Sequence, residues 1–417
     1  MDSDSNSHFD IVIAGGGMTG SCLGLALAPL GLRIAMVEAV ARGDPIQPSF
    51  DDRSTALSRS SQRMFAAMGL WPEIAAASLP IASIHVSDRG NFGFSHFDAA
   101  EQQVEALGYV VVNRVLGEVL QKALSGLHGL DFLCPARIVE ARPEYDHVHL
   151  LADANGASRE LTCNMLVAAD GAKSTVRHLL GIRSSHTDYG QSAVTGNVLP
   201  EIPPANRAWE RFTEDGPLAL LPLTGGRAAF IWTLPSAEAD AVMQLSDGAF
   251  LDRLQQAFGS RLGAFAKAGR RSSYALALTR AARLTARRSV LIGNAANCLH
   301  PVAAQGFNLG LRDVAALCDC IAGASSSNRA AIGEDDMLRA YVDWRRADHR
   351  EVAYLTDGLV RLFGSKLAPV RALRALGMLG LDLVPGARAL FARHTMGLAG
   401  RLPALSRGVP LRLPVRQ

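Results

Sequence analysis

One stretch near the start of the chain, residues 9–38, constrains the fold more than any other. Residues 9–14 (FDIVIA) form a short apolar run rich in strand-forming residues, and three glycines follow it. An apolar helical segment at 22–30 then leads to a second strand, 33–37, which ends at an acidic residue, Glu38. The pattern predicts a strand–turn–helix–strand unit, the building block of nucleotide-binding α/β folds.

The glycines of this unit, Gly15, Gly17 and Gly20, have G-x-G-x-x-G spacing. The first glycine permits a tight turn, the second lets the backbone approach a pyrophosphate, and the third lets the helix pack closely on the sheet. Phosphates are attracted to the N-terminus of the helix, and Glu38 can accept ribose hydroxyls. The unit therefore predicts that an adenosine dinucleotide with an unphosphorylated ribose, FAD or NAD, binds here.

Length and composition limit the protein class. A chain of 417 residues is long enough for two domains, and its net charge of +3 and 48% hydrophobic content are typical of a globular protein. No apolar run approaches the roughly 20 residues that a membrane span needs. Six cysteines without metal-ligand spacing indicate reduced thiols, so we expect a cytoplasmic protein without a metal site.

Basic residues are concentrated at the C-terminal end. Residues 361–417 contain ten basic residues and a single acidic one, Asp382, whereas acidic residues predominate in the rest of the chain. An ordinary helical subdomain with arginines facing water explains this composition. Peripheral contact with an anionic inner-membrane surface, or with a protein partner, is the alternative. The few aromatic residues in this segment and the acidic remainder argue against nucleic acid.

Two further segments complete a three-motif pattern. Asp170-Gly171 follows an apolar strand and precedes Ser174 and Arg177. Later, Gly293-Asn294 leads to His300-Pro301 and then to Gln305-Gly306-Phe307-Asn308. With the first glycines, these motifs resemble those of single-component FAD-dependent aromatic hydroxylases of the para-hydroxybenzoate hydroxylase type. Residues 85–90, 210–223, 274–283 and 293–314 more closely resemble the ubiquinone-biosynthesis hydroxylases, in particular the branch that hydroxylates 2-polyprenyl-6-methoxyphenol at position 4.

The resemblance implies an α/β fold: an FAD-binding, Rossmann-like domain of the glutathione-reductase type, an inserted β-sheet substrate domain and a C-terminal helical region. We expect the FAD-binding domain to comprise 1–75, 105–180 and 275–345, the substrate domain 76–104 and 181–274, and the helical region 346–417.

The resemblance also implies a set of cofactor contacts. The expected FAD-binding residues are Gly15, Gly17, Gly20, Glu38, Arg53, Arg114, Asp170, Gly171, Gly293, Asn294, Pro301, Gly306, Phe307 and Asn308. The helix after Gly306 is expected to begin near Asn308 and to turn its N-terminus toward the flavin pyrimidine edge. Asn294 departs from the broader family, where this position is usually aspartate. The loop 43–52 is a candidate for movement during catalysis.

By resemblance, NADH or NADPH reduces the FAD, and a C4a-hydroperoxyflavin hydroxylates a polyprenyl phenol with dioxygen. The flavin C4a is then the reactive centre, and His300 and Pro301 are the candidate catalytic residues. Loop packing is an alternative role for His300. A ubiquinone-biosynthesis complex is an expected partner.

Three alternatives remain. The first is hydroxylation of another ring position. The second is a flavin-dependent prenyl reductase or halogenase, although residues 230–235 (FIWTLP) match the reductase signature only in part. The third is an assembly subunit that retains FAD without catalysis.

Overall fold

The computed structural model describes residues 8–41, 52–90, 94–300, 305–364 and 384–412, together with Gly377. The strands are β1 His8–Ala14, β2 Ile34–Val37, β3 Ser54–Ser58, β4 Leu79–Ile81, β5 Ser83–Asp88, β6 Phe94–Asp98, β7 Gly108–Val112, β8 Leu130–Leu133, β9 Arg137–Pro143, β10 Val148–Ala154, β11 Ala157–Ala168, β12 Ser184–Pro200, β13 Arg207–Phe212, β14 Pro217–Pro222, β15 Ala228–Pro235, β16 Phe265–Ala268, β17 Ser272–Ala281, β18 Thr285–Ala286, β19 Ser289–Leu291 and β20 Asn297–Cys298.

The helices are α1 Met18–Leu27, α2 Arg59–Ala67, α3 Trp71–Ala76, α4 Asn113–Ser125, α5 Thr175–Leu179, α6 Ser236–Met243, α7 Asp247–Phe258, α8 Gln305–Ser327, α9 Asp335–Gly364 and α10 Pro385–Thr395. Short 3-10 turns cover Ala28–Leu30, Thr224–Gly226, Gly293–Ala295, Arg329–Ala331 and Leu405–Arg407.

The first sheet has the order β18-β19-β11-β1-β2-β8, with β9 and β10 joined to β11. Strands β11, β1, β2 and β8 are parallel neighbours. Ile11 and Ile13 of β1 face α1, α4, α8 and α9, whereas Val12 and Ala14 face β9, β10 and α5. Because both faces are covered, β1 has to be apolar along almost its whole length.

The second sheet has the order β20-β17-β12-β15-β14-β13-β5-β6 and is antiparallel except between β13 and β5. One face, which we call the outer face, packs on α6 and α7 through Phe230, Trp232 and Phe250. The opposite face, the inner face, packs on α10 and on the small sheet β3-β7-β4. The α/β architecture with an additional sheet confirms the predicted fold.

Several predicted boundaries lie inside elements. The limits at 75, 274 and 345 fall within α3, β17 and α9, so these elements are continuous where a domain limit was expected. Between Arg53 and Gly69 the chain first forms β3, which pairs with β7, and then α2. These differences arise because strand pairing and helix packing continue across the limits that local composition suggested.

The C-terminal segment is only partly helical. Helix α10 is followed by irregular chain in which Leu405 and Leu411 are buried in the core beside α2 and α8. Ala404 N–H donates to the carboxylate of Asp319 on α8 at 3.0 Å. Residues 384–412 are therefore part of the folded body. In the described part of the chain, we find no helix with both the length and the apolar character of a membrane span.

Candidate functional site

The first glycine turn is held against the end of β11. Gly15 has a φ of +103°, and a Cβ at this position would lie 2.6 Å from the carbonyl oxygen of Ala169. A Cβ on Gly20 would lie 1.9 Å from the carbonyl oxygen of Gly15. The turn and α1 therefore approach each other as closely as their backbones allow, and side chains are excluded at both positions. Gly17 is the N-cap of α1, which has no side-chain cap and no acidic residue in its first turn.

Glu38 lies at the carboxyl end of β2 and is buried. One carboxylate oxygen accepts the N–H of Gly16 at 2.6 Å, and the other accepts the N–H of Val40 at 2.7 Å. A carboxylate has about four acceptor positions, so both oxygens retain capacity for ribose hydroxyls. The acidic residue is thus pre-oriented beside the glycine turn.

The second motif is a capped turn after β11. Gly171 has a φ of +85°, and Asp170 accepts hydrogen bonds from the Ser174 hydroxyl and from the Val176 N–H. Ser174 in turn caps α5 by accepting the Arg177 N–H at 2.9 Å. The Asp170 side chain therefore shapes this turn, which starts one residue beyond the Ala169 carbonyl against which Gly15 packs.

Arg177 connects the second motif to the third. Its buried guanidinium donates to the carbonyl of Ala172 at 2.9 Å and to the carbonyl of Ala295 at 2.8 Å. Arg177 is therefore a positioning residue that holds the two turns together.

The third motif forms the 3-10 turn Gly293–Ala295. Gly293 has a φ of +57°, and a Cβ on it would lie 3.1 Å from the side chain of Thr19 in α1. A Cβ on Gly310 of α8 would lie 3.2 Å from the Gly293 Cα. The first motif, the third motif and α8 thus meet at one point. Asn294 is exposed between two buried neighbours, which leaves its amide accessible to a ligand.

Helix α8 is already formed at Gln305, so Gly306, Phe307 and Asn308 lie within its first described turn. The prediction that the helix begins near Asn308 is wrong in this respect. The Asn308 side chain is also occupied by the protein: its oxygen accepts Ser58 N–H and Ser61 hydroxyl, and its amide donates to Ala56. These bonds anchor α8 to the junction of β3 and α2, so the Asn308 side chain has a structural role in the fold. Pro301 lies outside the described residues, as does loop 43–51.

The two predicted arginines lie near each other, because the carbonyl of Arg53 accepts the N–H of Asn113, the residue before Arg114. Arg114 is half exposed and pairs with Glu118 at 2.8 Å and with Asp52 at 3.4 Å. The Arg53 guanidinium lies 5.2 Å from the ring centre of Tyr274 in the second sheet. Arg53 therefore connects the small sheet β3-β7-β4 to the second sheet.

His300 is almost fully buried, and its ring makes an edge contact with Tyr189 at 5.4 Å. Burial lowers the pKa of His300 to about 4, so the imidazole is neutral at neutral pH. The Tyr189 hydroxyl donates to Asp357 on α9. The environment of His300 fits the packing role proposed for it as an alternative.

Sequence reasoning missed a buried charged cluster beneath the third motif. Asp313 of α8 is fully buried and accepts the Gly293 N–H at 3.0 Å, Arg345 Nε at 2.8 Å and His349 Nε2 at 2.6 Å. Arg345 and Arg312 both pair with Asp348. The Asp313 carboxylate therefore fixes the Gly293 turn from below.

The charges of this cluster are mutually stabilised. Burial would raise the pKa of Asp313, but the charges of His349 and Arg345 and their hydrogen bonds outweigh it and lower the pKa. The same balance, with Arg345 and Arg312, lowers the pKa of Asp348 to about 2. The i, i+3, i+4 spacing of 345, 348 and 349 on one helix face is the sequence signal that could have indicated this cluster.

Comparison with known proteins identifies the family. The family model described as FAD binding domain matches residues 8–353, which is most of the chain and includes all three motifs. The chain belongs to this FAD-binding family. It is an FAD-dependent monooxygenase of the aromatic hydroxylase class, and FAD is its cofactor, as the motifs predicted.

Similar proteins confirm the resemblance drawn from the motifs. The chain is 36% identical to the ubiquinone hydroxylase UbiL of Rhodospirillum rubrum over 96% of this chain and 93% of UbiL. It is 29% identical to the 3-demethoxyubiquinol 3-hydroxylase of Escherichia coli over 94% of this chain and 100% of that protein. The structure of p-nitrophenol 4-monooxygenase PnpA from Pseudomonas putida shares the fold, with a TM-score of 0.77, 18% identity and coverage of 94% and 98%.

The residues where the first and third motifs meet α8 suit the family's cofactor. The uncapped N-terminus of α1 offers free N–H groups to phosphates, and Glu38 offers acceptors to a ribose. The exposed Asn294 amide suits the hydroxyls of a ribityl chain. At Gly306 a Cβ would meet no described atom within 4 Å, which leaves open space beside the first turn of α8. Within the described residues, no cluster of metal-ligating side chains occurs.

Proposed function

We propose that this protein is an NAD(P)H-dependent monooxygenase that hydroxylates the ring of a polyprenyl phenol in ubiquinone biosynthesis. The observation that carries the proposal is the convergence of the three FAD motifs. Gly293 of the third motif lies in contact distance of Thr19 in the first, and Arg177 of the second donates to the carbonyl of Ala295 in the third. The relatives named as ubiquinone hydroxylases support the pathway and the substrate class.

Within this class we propose hydroxylation of 2-polyprenyl-6-methoxyphenol at carbon 4, on the motif resemblance of residues 210–223 and 293–314. Hydroxylation at a different ring position is the second candidate, because one relative is named as a 3-hydroxylase of demethoxyubiquinol. Both candidates need the same flavin site and differ only in how the phenol is oriented over it.

The chain's own residues have distinct proposed roles. Glu38 holds the adenosine ribose, and the N-terminus of α1 holds the pyrophosphate. Asn294 contacts the ribityl chain, and backbone N–H groups near Phe307 and Asn308 bind the flavin pyrimidine edge. Bound FAD supplies activated oxygen to the substrate ring, and the sheets that enclose the ring exclude water.

Contact with a membrane surface through the C-terminal segment is part of the proposal. Val384, Leu390 and Val409 are exposed apolar side chains of this segment, and Arg393, three residues after Leu390 on α10, is an exposed cation. An apolar surface bordered by cations suits the interface of an anionic bilayer, from which a polyprenyl substrate would enter. Deletion of the segment would expose Leu405 and Leu411, so a point substitution is the better test.

The substitution Leu390→Glu is expected to weaken co-sedimentation with vesicles that contain phosphatidylglycerol. Tyr145→Glu is the matched control, because Tyr145 is exposed in the turn between β9 and β10, far in sequence from this segment. Equal vesicle binding by both variants and the unchanged protein would contradict membrane contact through α10.

The function is tested with purified protein reconstituted with FAD. We expect consumption of NADH or NADPH to be stimulated by 2-methoxy-6-prenylphenol and a hydroxylated ring to appear in the mass spectrum of the product. A prenyl reductase would instead reduce the side chain, and an assembly subunit would consume no nicotinamide cofactor. Nuclear magnetic resonance of the product then identifies the ring position.

A further inference from the structure

The inner face of the second sheet carries one carboxylate in a row of uncharged side chains. Glu210 of β13 lies opposite Ala219 of β14 and Val86 of β5. Ala219 lies opposite Ile231 of β15, which lies opposite Thr195 of β12. Directly paired residues point to the same side of a sheet, so these five side chains form one row on one face.

This face is turned toward the nucleotide-binding part of the molecule. Thr195 lies opposite Ser272 of β17, and Tyr274, two residues further, shares the face. The ring of Tyr274 lies against the guanidinium of Arg53, which precedes β3. At the other end of the face, Ala208 belongs to the same buried cluster as Ala392 of α10 and Met396, the residue that follows the helix. Glu210 thus lies on the face that closes over the flavin domain.

The neighbouring residues of β13 point the other way. Trp209 packs with Phe258 of α7 on the outer face, and Arg211, two residues on, shares that face. Strand β13 therefore presents Trp209 and Arg211 to the outer face and Glu210 to the inner face. Small and apolar neighbours, Ala219 and Val86, leave the carboxylate partly accessible from the inner side.

The carboxylate of Glu210 has no hydrogen-bond or ion-pair partner among the described residues, although buried carboxylates are normally paired. Burial raises the pKa of Glu210 to about 7. Asp88 of β5, which lies opposite Phe212, is an ionisable group on the same face. Helix α10 and its C-cap residue present Phe391, Ala392 and Met396 to this face, none of which carries a charge. A partly buried acid without a hydrogen-bond or ion-pair partner, on a face turned toward the nucleotide-binding part, is a candidate functional group.

We propose that Glu210 accepts the proton of the substrate's phenolic hydroxyl, and this inference rests on the proposed function. The phenol O–H bond breaks, its electron pair stays on the phenol oxygen, and the proton forms an O–H bond with the Glu210 carboxylate. The phenolate then has higher electron density at the ortho and para carbons. Carbon 4 of 2-polyprenyl-6-methoxyphenol is para to the hydroxyl, so it becomes the activated position.

The remaining atoms balance through the established monooxygenase chemistry. One atom of dioxygen bonds to the activated ring carbon. The other leaves as water, which takes up the hydrogen and two electrons of NAD(P)H together with one proton from solvent. The ring carbon then loses its own proton to restore aromaticity, and a proton returns from Glu210 to the phenolate oxygen of the product. A base with a pKa near the working pH is suited to both transfers.

The test compares Glu210→Gln, Glu210→Asp and the control Glu214→Gln, each as the FAD-loaded protein with 2-methoxy-6-prenylphenol. Glu214 is exposed in the turn that follows β13, so its substitution removes the same charge outside the row. We expect Glu210→Gln to retain FAD and to lose roughly 10²- to 10⁴-fold in the rate of hydroxylation, the usual contribution of a general base. Glu210→Asp should retain more activity, and Glu214→Gln should match the unchanged protein.

Two further readouts separate catalysis from a structural role. The hydroxylation rate of the unchanged protein should rise with pH through about 7, and Glu210→Gln should lack this rise. A ring-fluorinated analogue, which is a stronger acid, should narrow the gap between Glu210→Gln and the unchanged protein. A Glu210→Gln protein within tenfold of the unchanged rate, with the same pH profile, would overturn the assignment of Glu210 but leave the proposed function standing. An unchanged protein that hydroxylates no phenol would overturn both.

Discussion

The substitution Gly306→Ala tests where the flavin lies. In the described structure a Cβ on Gly306 would meet nothing within 4 Å, and the residue lies in helix α8 without a positive φ. Glycine in a helix is less favourable than alanine by about 0.5–1 kcal/mol. The described residues therefore offer no reason for a glycine here, and the apoprotein should be stabilised by about that amount.

Bound FAD should reverse the effect. If the flavin edge approaches the first turn of α8, the added methyl group overlaps it, and such overpacking typically costs about 1–3 kcal/mol. At about 1.4 kcal/mol per tenfold change, the Kd for FAD should rise roughly 5- to 150-fold. Stability and affinity thus change in opposite directions, which a general loss of structure cannot produce.

The assay is titration of apoprotein with FAD, followed by quenching of flavin fluorescence, together with urea unfolding of the apoprotein. Gly323→Ala is the matched control, since Gly323 lies in the same helix and its Cβ would also meet nothing within 4 Å. Both variants should be stabilised, and only Gly306→Ala should lose affinity. An unchanged FAD affinity in Gly306→Ala would refute the placement of the flavin beside α8.

Three other perturbations have defined outcomes. Asp313→Asn leaves buried cations uncompensated and should lower the free energy of unfolding by about 3–5 kcal/mol in urea titrations, whereas exposed Asp343→Asn should have little effect. Gly20→Ala places a Cβ 1.9 Å from the Gly15 carbonyl oxygen, so the variant should be misfolded or free of FAD, as checked by gel filtration and flavin absorbance. A normal FAD content would contradict the close packing of α1 on the glycine turn. Burial lowers the pKa of His300 from 6.5 to about 4, so between these pH values the unfolded protein binds more protons at this residue than the folded protein does. The free energy of unfolding should therefore fall as the pH drops from 6.5 to 4, by at most about 3 kcal/mol. Unfolding at a series of pH values should show a shallower fall for His300→Gln; an identical slope would contradict the burial effect.

Much of the nucleotide site could be predicted from sequence because its chemistry is local. Gly20 is required by a backbone contact with Gly15, five residues away, and Glu38 is fixed by the turn that follows the adjacent strand. Their spacing therefore carries the structural information. The same holds for Asp170 and Ser174, whose hydrogen bonds span four residues.

Other parts depended on contacts between distant segments. Asp313 reaches Arg345 across 32 positions, and the Asn308 side chain reaches Ser58 across 250. Nothing in the local pattern distinguishes such a buried polar residue from one that binds a ligand. Glu210 became noticeable only when strand register placed it on the inner face, because its two sequence neighbours are directed to the other side.

The central claim is oxygen transfer to an aromatic ring, and isotope labelling measures it directly. The FAD-loaded protein is supplied with NADH or NADPH, 2-methoxy-6-prenylphenol and ¹⁸O₂, and the product is analysed by mass spectrometry. The account predicts a product whose new ring hydroxyl carries the heavy isotope, formed only while the nicotinamide cofactor is consumed. An unlabelled product, or nicotinamide oxidation without any hydroxylated ring, would contradict it.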